Sequence, residues 1–352
     1  MFRRLPIDPY ILAMAATVLL ASVLPAHGRG ATAAGWAANG AIAFLFFLYG
    51  ARLSPQAALE GLKHWRLHGV VLLCTYALFP LLGLGFGLLS PGLLSPPLYA
   101  GLMFLCVLPS TVQSSIAFTS IAKGNVAAAL CAASASNILG IFLTPLLVAT
   151  LLRQQGVGFS FGVLRDIVLQ LLVPFLLGQV LRPWLGGFVQ RHKAVLGLVD
   201  RGSILLVIYT AFSEGVTSGI WSRLNLADLA TLVACCCVLL ALVLALTTLI
   251  SRRVMGFARA DEIVVVFCGS KKSLASGLPM ASVLFPAAQV GLAVLPLMLF
   301  HQIQLMVCAA LARRYAQGAA ADGAEVPEPA APQRAGPAPE KAGAVGSGAA
   351  RP

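Results

Sequence analysis

Charged side chains are scarce in this sequence, and acidic ones are the scarcest. Only 10% of the 352 residues are charged, and 12 residues in total are Asp or Glu. Soluble domains typically contain about 25% charged residues. Because 59% of the chain is hydrophobic as well, the composition excludes a soluble globular protein and indicates an integral membrane protein.

The excess of positive charge does not indicate nucleic-acid binding. The formal net charge is +12, but Lys and Arg lie between apolar runs rather than along one stripe. The eight cysteines lie in apolar segments without zinc-ligand spacing to histidines, so they are interpreted as small packing residues. The apolar segments also lack paired carboxylates and nucleophile–base pairs. Neither an enzyme, nor a cofactor, nor a bound metal is expected.

Long apolar runs make up most of the chain. A spanning helix needs roughly 20 largely apolar residues. On this basis, an all-α membrane protein with ten transmembrane helices is predicted, at 9–26, 36–51, 68–89, 97–121, 126–151, 166–185, 199–214, 228–250, 262–285 and 289–312. After Tyr315 the composition changes to Ala, Pro, Gly and Glu. Residues 1–315 are therefore predicted to form the transmembrane domain, and 316–352 a disordered cytoplasmic tail.

The Lys and Arg residues between the predicted helices set the orientation. With a cytoplasmic N-terminus, only Arg29, Arg153, Arg165 and Arg223 lie in outside loops. Fifteen lie in inside loops: Arg3, Arg4, Arg52, Lys63, Arg66, Lys123, Arg182, Arg191, Lys193, Arg201, Arg252, Arg253, Arg259, Arg313 and Arg314. Cytoplasmic loops carry the excess of Lys and Arg. A multi-pass protein of the plasma (inner) membrane with both termini in the cytoplasm is therefore predicted.

Ten helices divide into two halves of five, and an odd number per half inverts the second half relative to the first. Inverted repeats of about 5–155 and 160–315 are therefore predicted, which is a common transporter architecture. The short stretches "QSSIA" (113–117) and "KKSLA" (271–275) occupy corresponding places in the two halves.

The predicted fourth and ninth helices contain polar and helix-breaking residues in mid-segment. These are "LPSTVQSSIAFTS" (108–120) and "CGSKKSLASGLP" (268–279). Breaks in a membrane helix free backbone groups, which need partners from the protein or from a water-filled cavity. A pair of interrupted segments at corresponding places points to a transporter's binding site. The alternative is a pair of kinked helices that pack through small residues.

Three stretches resemble one known family: "FLFFLYGARLSPQAALEGLKHWRLH" (44–68), "LPSTVQSSIAFTSIAKGN" (108–125) and "FCGSKKSLASGLPMASVLF" (267–285). They are similar to the bile acid:sodium symporter family, and most of all to its orphan branch with GSKKS-type motifs. The resemblance covers about residues 5–315. It implies two inverted repeats sorted into a panel and a core domain, with broken fourth and ninth helices that cross where substrate and sodium bind.

Several positions depart from the sodium-coupled members of that family. Phe267 and Lys271 stand where those relatives have a Glu and a Gln, and Ile116 stands where they have an Asn. Ala129 and Ala133 stand where hydroxyl ligands are expected. Because sodium prefers oxygen ligands, usually with compensating negative charge, the resemblance implies a relative that does not depend on sodium.

Lys271 and Lys272 are adjacent inside a segment that otherwise reads as membrane-buried. A lysine at the bilayer centre costs about 2.5–3.5 kcal/mol on insertion scales, which favours a role. Three interpretations remain open. An ammonium could be the counter-charge of an anionic substrate, or a built-in cation in the place of sodium that exchanges with a proton. Alternatively, the ammonium groups bond the exposed carbonyls of the broken helix.

The predicted substrate and ion pathway follows the two interrupted segments and the helix after the first. One lysine is expected to face Gln113, Ser114 or Ser115, with the break at Gly269 and Ser270 and a half-helix starting near Ser273. The full set is Gln113, Ser114, Ser115, Thr119, Ser134, Asn137, Gly269, Ser270, Lys271, Lys272 and Ser273. His301 and Gln302 are secondary candidates, and His301 either relays protons or bridges helices.

The leading hypothesis is a secondary active transporter that moves a small organic, anionic solute by alternating access within the lipid membrane. Proton coupling is a further expectation. The alternative is a non-transporting membrane regulator or receptor on the same fold, which would need no coupling ion.

The orientation can be tested with a reporter that is active only outside the cytoplasm. Fused after Arg314, it should give no signal, because the Lys and Arg residues place that end inside. The same reporter fused after Arg29, in a predicted outside loop, should be active. A strong signal after Arg314 would contradict the even number of spans.

Overall fold

The computed structural model describes residues 9–52, 64–90, 92–152, 165, 168–219 and 224–321. Within these ranges the chain folds into helices and contains no strand. In chain order they are α1 Pro9–Val23, α2 Gly28–Arg52, α3 Trp65–Leu89, α4 Pro96–Val107, α5 Gln113–Ile121, α6 Val126–Leu151, α7 Val168–Arg191, α8 Lys193–Thr217, α9 Leu226–Val254, α10 Arg259–Gly269, α11 Leu274–Leu284 and α12 Ala287–Ala321.

Seven of these helices are long and apolar enough to cross a membrane, namely α2, α3, α6, α7, α8, α9 and α12. Shorter apolar helices lie within α1 and α4. Many large apolar side chains on their surfaces are exposed, among them Leu20, Leu81 and Leu146. A multi-pass membrane protein explains this exposure, because lipid and not water then surrounds these side chains.

Both predicted interruptions are present. The predicted fourth span falls on α4 and α5, which are separated by residues 108–112, and the ninth falls on α10 and α11, separated by residues 270–273. Pro109 lies in the first break and favours it, because proline lacks an N–H donor and disfavours the helical conformation of the residue before it. The hydroxyl of Ser273 caps α11 and accepts a hydrogen bond from the Ser276 N–H at 3.2 Å.

Helices α2 and α7 cross at backbone contact. A Cβ atom on Gly50 would lie 2.1 Å from the Phe175 carbonyl oxygen, and one on Gly178 would lie 2.1 Å from the Phe47 carbonyl oxygen. The Gln179 amide also donates to the Gly50 carbonyl at 2.7 Å. Glycine is therefore required at both positions, since any side chain would force the helices apart.

The remaining helices form the larger part of the structure. Helix α12 passes close to α4 at Gly101, where a Cβ atom would lie 2.8 Å from the Leu292 carbonyl oxygen. Fully buried phenylalanines fill the space between helices, among them Phe79, Phe104 and Phe300. The two interrupted pairs, α4–α5 and α10–α11, lie within this part.

The last helix runs past the predicted start of the tail. Helix α12 continues to Ala321, whereas the composition predicts disorder from residue 316. The rest of the predicted tail, 322–352, lies outside the described residues.

The crossing of α2 and α7 can be tested with two glycine substitutions on the same helix. Gly50→Ala should lower the melting temperature by about 3–10 °C, because overpacking costs about 1–3 kcal/mol. Gly40→Ala is the control, since a Cβ atom there would meet nothing within 4 Å. It should leave the melting temperature unchanged or raise it slightly. Equal effects of both substitutions would contradict the close contact.

Candidate functional site

The two interruptions touch each other through direct hydrogen bonds. The Ser110 hydroxyl donates to the Cys268 carbonyl at 2.6 Å, and the Ser115 hydroxyl donates to the Phe267 carbonyl at 3.1 Å. The Ser273 N–H donates to the Pro109 carbonyl at 2.9 Å. The end of α10 and the start of α11 are thus bound to residues of the first interrupted segment.

Side chains of the following helix, α6, hold the backbone of the first break. The Ser110 N–H donates to the Ser136 hydroxyl at 3.0 Å, and the Asn137 amide donates to the Ser110 carbonyl at 2.7 Å. The Asn137 side-chain oxygen accepts from the Ser276 hydroxyl at 2.8 Å, which ties α6 to α11. The Thr144 hydroxyl donates to the Val107 carbonyl at 2.8 Å. Asn137 therefore lies at the junction, in a structural bonding role.

A single side chain of α12 holds the backbone of the second break. The Lys272 N–H donates to the Gln304 side-chain oxygen at 3.1 Å, and the Gln304 amide donates to the Lys272 carbonyl at 3.0 Å. Nδ1 of His301, the secondary candidate, lies 2.9 Å from the same amide nitrogen. Gln304 is fully buried and is absent from the predicted site. Its polar side chain within an apolar helix is the sequence feature that could have identified it.

The Lys272 ammonium is fully buried and surrounded by backbone oxygens. It donates to the carbonyls of Thr75 at 2.8 Å, Cys106 at 2.8 Å and Leu108 at 2.7 Å. The ring centroid of Phe79 lies 4.1 Å from the same nitrogen. All three donors of the ammonium are therefore used. This geometry matches the interpretation in which a lysine bonds the exposed carbonyls of the broken helix.

The Thr75 carbonyl is available because α3 is irregular at that point. Residues Cys74–Leu78 form a π-helical turn, in which the Phe79 N–H donates to the Cys74 carbonyl. The next residue, Pro80, has no N–H to offer to Thr75. Thr75 and Phe79 are absent from the site predicted from the sequence. The proline within a long apolar segment is the only signal that points to them.

Lys271 has the opposite surroundings. Its side chain is also fully buried, but its ammonium has no hydrogen-bond partner among the described residues. It lies 3.8 Å from the ring centroid of Phe118 and 5.5 Å from that of Phe267. A desolvated cation–π contact stabilises by about 2 kcal/mol or more, which is less than the several kcal/mol needed to bury an ammonium.

Unpaired hydroxyl groups lie in the first break and on α5. The side-chain oxygens of Thr111, Ser114 and Thr119 are buried and have no hydrogen-bond partner among the described residues. Ser114 lies one helical turn before Phe118 on α5, so both residues share the helix face on which Lys271 lies. The junction therefore contains one cation and several hydroxyls with unused hydrogen-bonding capacity.

The other predicted site residues fall in or near the junction. Gly269 ends α10, and Ser270 follows it with its hydroxyl donating to the Val266 carbonyl at 2.5 Å. Gln113 begins α5 and is exposed, while Ser134 and Gln302 are half-buried.

Lys271 and Lys272 both lie at the junction of the interrupted segments. Lys271 lies over Phe118, one turn beyond the residues that a lysine is expected to face. Lys272 points instead to the carbonyls at the end of α4.

The whole chain was compared with known proteins. It matches the model of the SBF-like CPA transporter family over residues 8–317. The chain belongs to the SBF-like CPA transporter family. This membership confirms the resemblance to bile acid:sodium symporters that the three motifs indicate, and it makes the protein an integral membrane transporter related to them.

Relatives of this transporter occur in bacteria and vertebrates. It is 57% identical over 324 residues to "Uncharacterized protein PA2026" of Pseudomonas aeruginosa, covering 91% of this chain and 97% of that one. It is 53% identical over 309 residues to "Putative symporter YfeH" of Escherichia coli K12, covering 88% and 93%. It is 28% identical over 269 residues to "Sodium/bile acid cotransporter 7" of Mus musculus, covering 76% and 79%.

The role of Gln304 can be tested on the purified transporter. Gln304→Met keeps the volume but leaves two backbone groups of Lys272 unpaired, at about 1–3 kcal/mol each. We expect its melting temperature to fall by about 5 °C or more. Gln302→Met, two positions earlier on the same helix, is the control and should change it little. A stable Gln304→Met variant would show that the second break is held by other contacts.

Proposed function

We propose that this transporter is a secondary active carrier of a small organic anion, that it works by alternating access, and that it does not require sodium. The observation that carries the proposal is the Lys271 ammonium. It is fully buried at the junction of the two interrupted segments, over the Phe118 ring, and lacks a hydrogen-bond partner among the described residues. A buried ammonium without a partner is unfavourable, and an anionic ligand would supply the opposite charge.

The described part of the protein offers no internal counter-charge for Lys271. Glu262 is the one buried carboxylate among the described residues, and both of its oxygens are engaged. One accepts from Arg252 at 2.8 Å, and the other from the Tyr315 hydroxyl at 2.6 Å. The neighbouring Asp261 accepts from the Asn125 amide at 3.0 Å. An anionic solute is therefore the partner that fits Lys271 best.

The start of α11 favours the same sign of charge. The helix begins at Leu274, directly after the two lysines. The N-terminal end of a helix carries a partial positive charge, and broken helices of transporters direct such ends at anionic groups of the substrate. The unpaired hydroxyl of Ser114, on the same face of α5 as Phe118, would add a hydrogen-bond donor for a carboxylate or a related group.

Sodium independence is supported by the side chains at the positions that hold sodium in coupled relatives. Phe267, Ala129 and Ala133 are fully buried and carry no side-chain oxygen. The ring of Phe267 packs against those of Phe118 and Tyr315, with centroids 6.0 and 6.1 Å apart. Sodium needs several oxygen ligands, whereas this region presents aromatic and methyl groups.

The proposal includes ten spanning segments in two inverted repeats, with 1–315 as the transmembrane domain, both termini in the cytoplasm and the protein in the inner membrane. The bonding of the breaks supports the repeat. Helix α6, which follows the first interrupted pair, holds Ser110 through Ser136 and Asn137. Helix α12, which follows the second pair, holds Lys272 through Gln304. The hydrogen-bonded residues Ser110 and Cys268 are 158 positions apart, which is also the offset between "QSSIA" and "KKSLA".

The packing supports a division into a panel and a core. Helices α1, α2, α7 and α8 would form the panel, in which α2 packs against α7 and α1 against α8. Helices α3–α6 and α9–α12 would form the core, which contains both breaks. Because Lys271 is fully buried, a solute reaches it only after a conformational change, and the movement of the panel against the core in alternating access is the change we propose.

The solute and the role of Lys271 can be tested together. Purified transporter is screened by thermal shift against mono- and dicarboxylates, sulfonates and the matching neutral amides. At least one anion should raise the melting temperature, because a ligand that binds the folded state stabilises it. Lys271→Met should weaken binding of that anion about tenfold or more, the size of a 1.4 kcal/mol loss. Lys271→Arg keeps the charge and should retain more of the affinity than Lys271→Met does.

Two further measurements test sodium independence and transport separately. Replacing sodium with choline at constant pH should leave anion binding unchanged, and a saturable sodium requirement would contradict the assignment of Phe267, Ala129 and Ala133. The same anion should accumulate in proteoliposomes. Binding that depends on Lys271 without any uptake would identify a receptor, and unchanged binding by a folded Lys271→Met variant would overturn the site.

A further inference from the structure

Three backbone carbonyls converge on one point in the core, and they belong to two separate helices. Thr75 lies on α3, Cys106 lies in the last turn of α4, and Leu108 follows the end of α4. The C-terminal end of a helix carries partial negative charge. In transporters, unwound carbonyls and the C-terminal ends of half-helices coordinate the coupling cation, and rings of carbonyls replace the water shell of an ion in channels.

We propose that the carbonyls of Thr75, Cys106 and Leu108 form a site for a monovalent cation, and that the Lys272 ammonium occupies it as a tethered ion. The ammonium lies 2.7–2.8 Å from all three oxygens. The Phe79 ring, with its centroid 4.1 Å away, adds a cation–π contact. This inference concerns the second lysine and no solute, so it does not depend on the solute proposed for Lys271.

Features outside the lysine side chain create the site. The carbonyl of Thr75 lacks a helical donor because of the π-helical turn and Pro80. The regular donor to the Cys106 carbonyl would be the Ser110 N–H, which is bonded instead to the Ser136 hydroxyl. The oxygens are thus released by two independent irregularities, in α3 and in the first break.

The surroundings also hold these oxygens in place. The Thr144 hydroxyl binds the Val107 carbonyl, and the Ser273 N–H binds the Pro109 carbonyl. Each carbonyl of residues 106–109 therefore has its own donor, and the two that face inward, those of Cys106 and Leu108, are the ones that meet Lys272. Removal of the lysine would leave three buried oxygens without a donor, which is unfavourable unless a cation or another donor enters.

The size of the site predicts which free ions it accepts. Donor–acceptor separations of 2.7–2.8 Å fit an alkylammonium, or a potassium ion, which is similar in size to ammonium. Sodium is smaller, so the carbonyls would have to move inward to bind it. The expected order of preference is alkylammonium, then potassium, then sodium, with choline excluded by its bulk.

The test removes the tether and returns the cation separately. Lys272→Ala deletes the part of the side chain that corresponds to n-propylammonium. The purified full chain is melted in choline chloride, without any added solute. Its melting temperature should be about 5 °C or more below that of the unsubstituted protein. Addition of n-propylammonium chloride should restore at least half of the loss in a saturable manner, and potassium chloride should restore more than sodium chloride.

Matched controls separate a cation site from simple filling of a cavity. n-Propanol and the propionate ion, added as its choline salt, have three carbons without an ammonium group and should not restore the melting temperature of Lys272→Ala. Lys272→Met fills the space without a charge and should respond to none of the salts. Lys271→Ala should show little response to n-propylammonium, because the Lys271 ammonium has no hydrogen-bonded carbonyl among the described residues.

Three outcomes would overturn the inference. A Lys272→Ala variant that is as stable in choline as the unsubstituted protein would show that the carbonyls need no cation. Equal restoration by n-propanol would show that only volume matters. A Lys272→Ala variant that folds in none of the salts would show that the lysine is required as a covalent part of the core. None of these results bears on anion binding at Lys271, which is measured with different variants and a different ligand.

Discussion

Backbone carbonyls that are released where a helix stops inside a membrane must find donors within the protein. Two helices of this transporter stop in that way, and their ends lie against each other. Lipid offers no hydrogen bonds, so each freed group needs a specific partner. The positions of Ser110, Asn137, Thr144 and Gln304 follow from this requirement, since each binds a backbone group at one of the two breaks.

The same requirement separates the roles of two adjacent, identical residues. Lys272 meets three carbonyl oxygens, and its charge is well solvated by the backbone. Lys271 leaves the chain in another direction and meets the faces of two aromatic rings. One ammonium is thereby bonded into the framework, and the other has no hydrogen-bond partner among the described residues. Two adjacent lysines of one sequence motif consequently have different surroundings.

The amino-acid sequence predicts the helical membrane fold, the two breaks and the start of α11 near Ser273, because these depend on local composition, glycine, proline and hydroxyl residues. It also identifies Lys271 and Lys272 as exceptional. It does not reveal that the two ammonium groups have different surroundings. That difference depends on Thr75 and Phe79, which are distant in sequence and of common residue types for an apolar helix. The π-helical turn at Cys74–Leu78 also cannot be predicted from the sequence. Pro80 explains the missing N–H donor but not the turn itself.

The crossing of α2 and α7 has a mechanical consequence. At Gly50 and Gly178 the two backbones touch without intervening side chains, so a small axial shift of one helix would bring bulky neighbours such as Phe47 or Phe175 into the gap. The close contact therefore opposes sliding of α2 along α7. A relative displacement is less costly along surfaces where side chains, rather than main chains, are in contact.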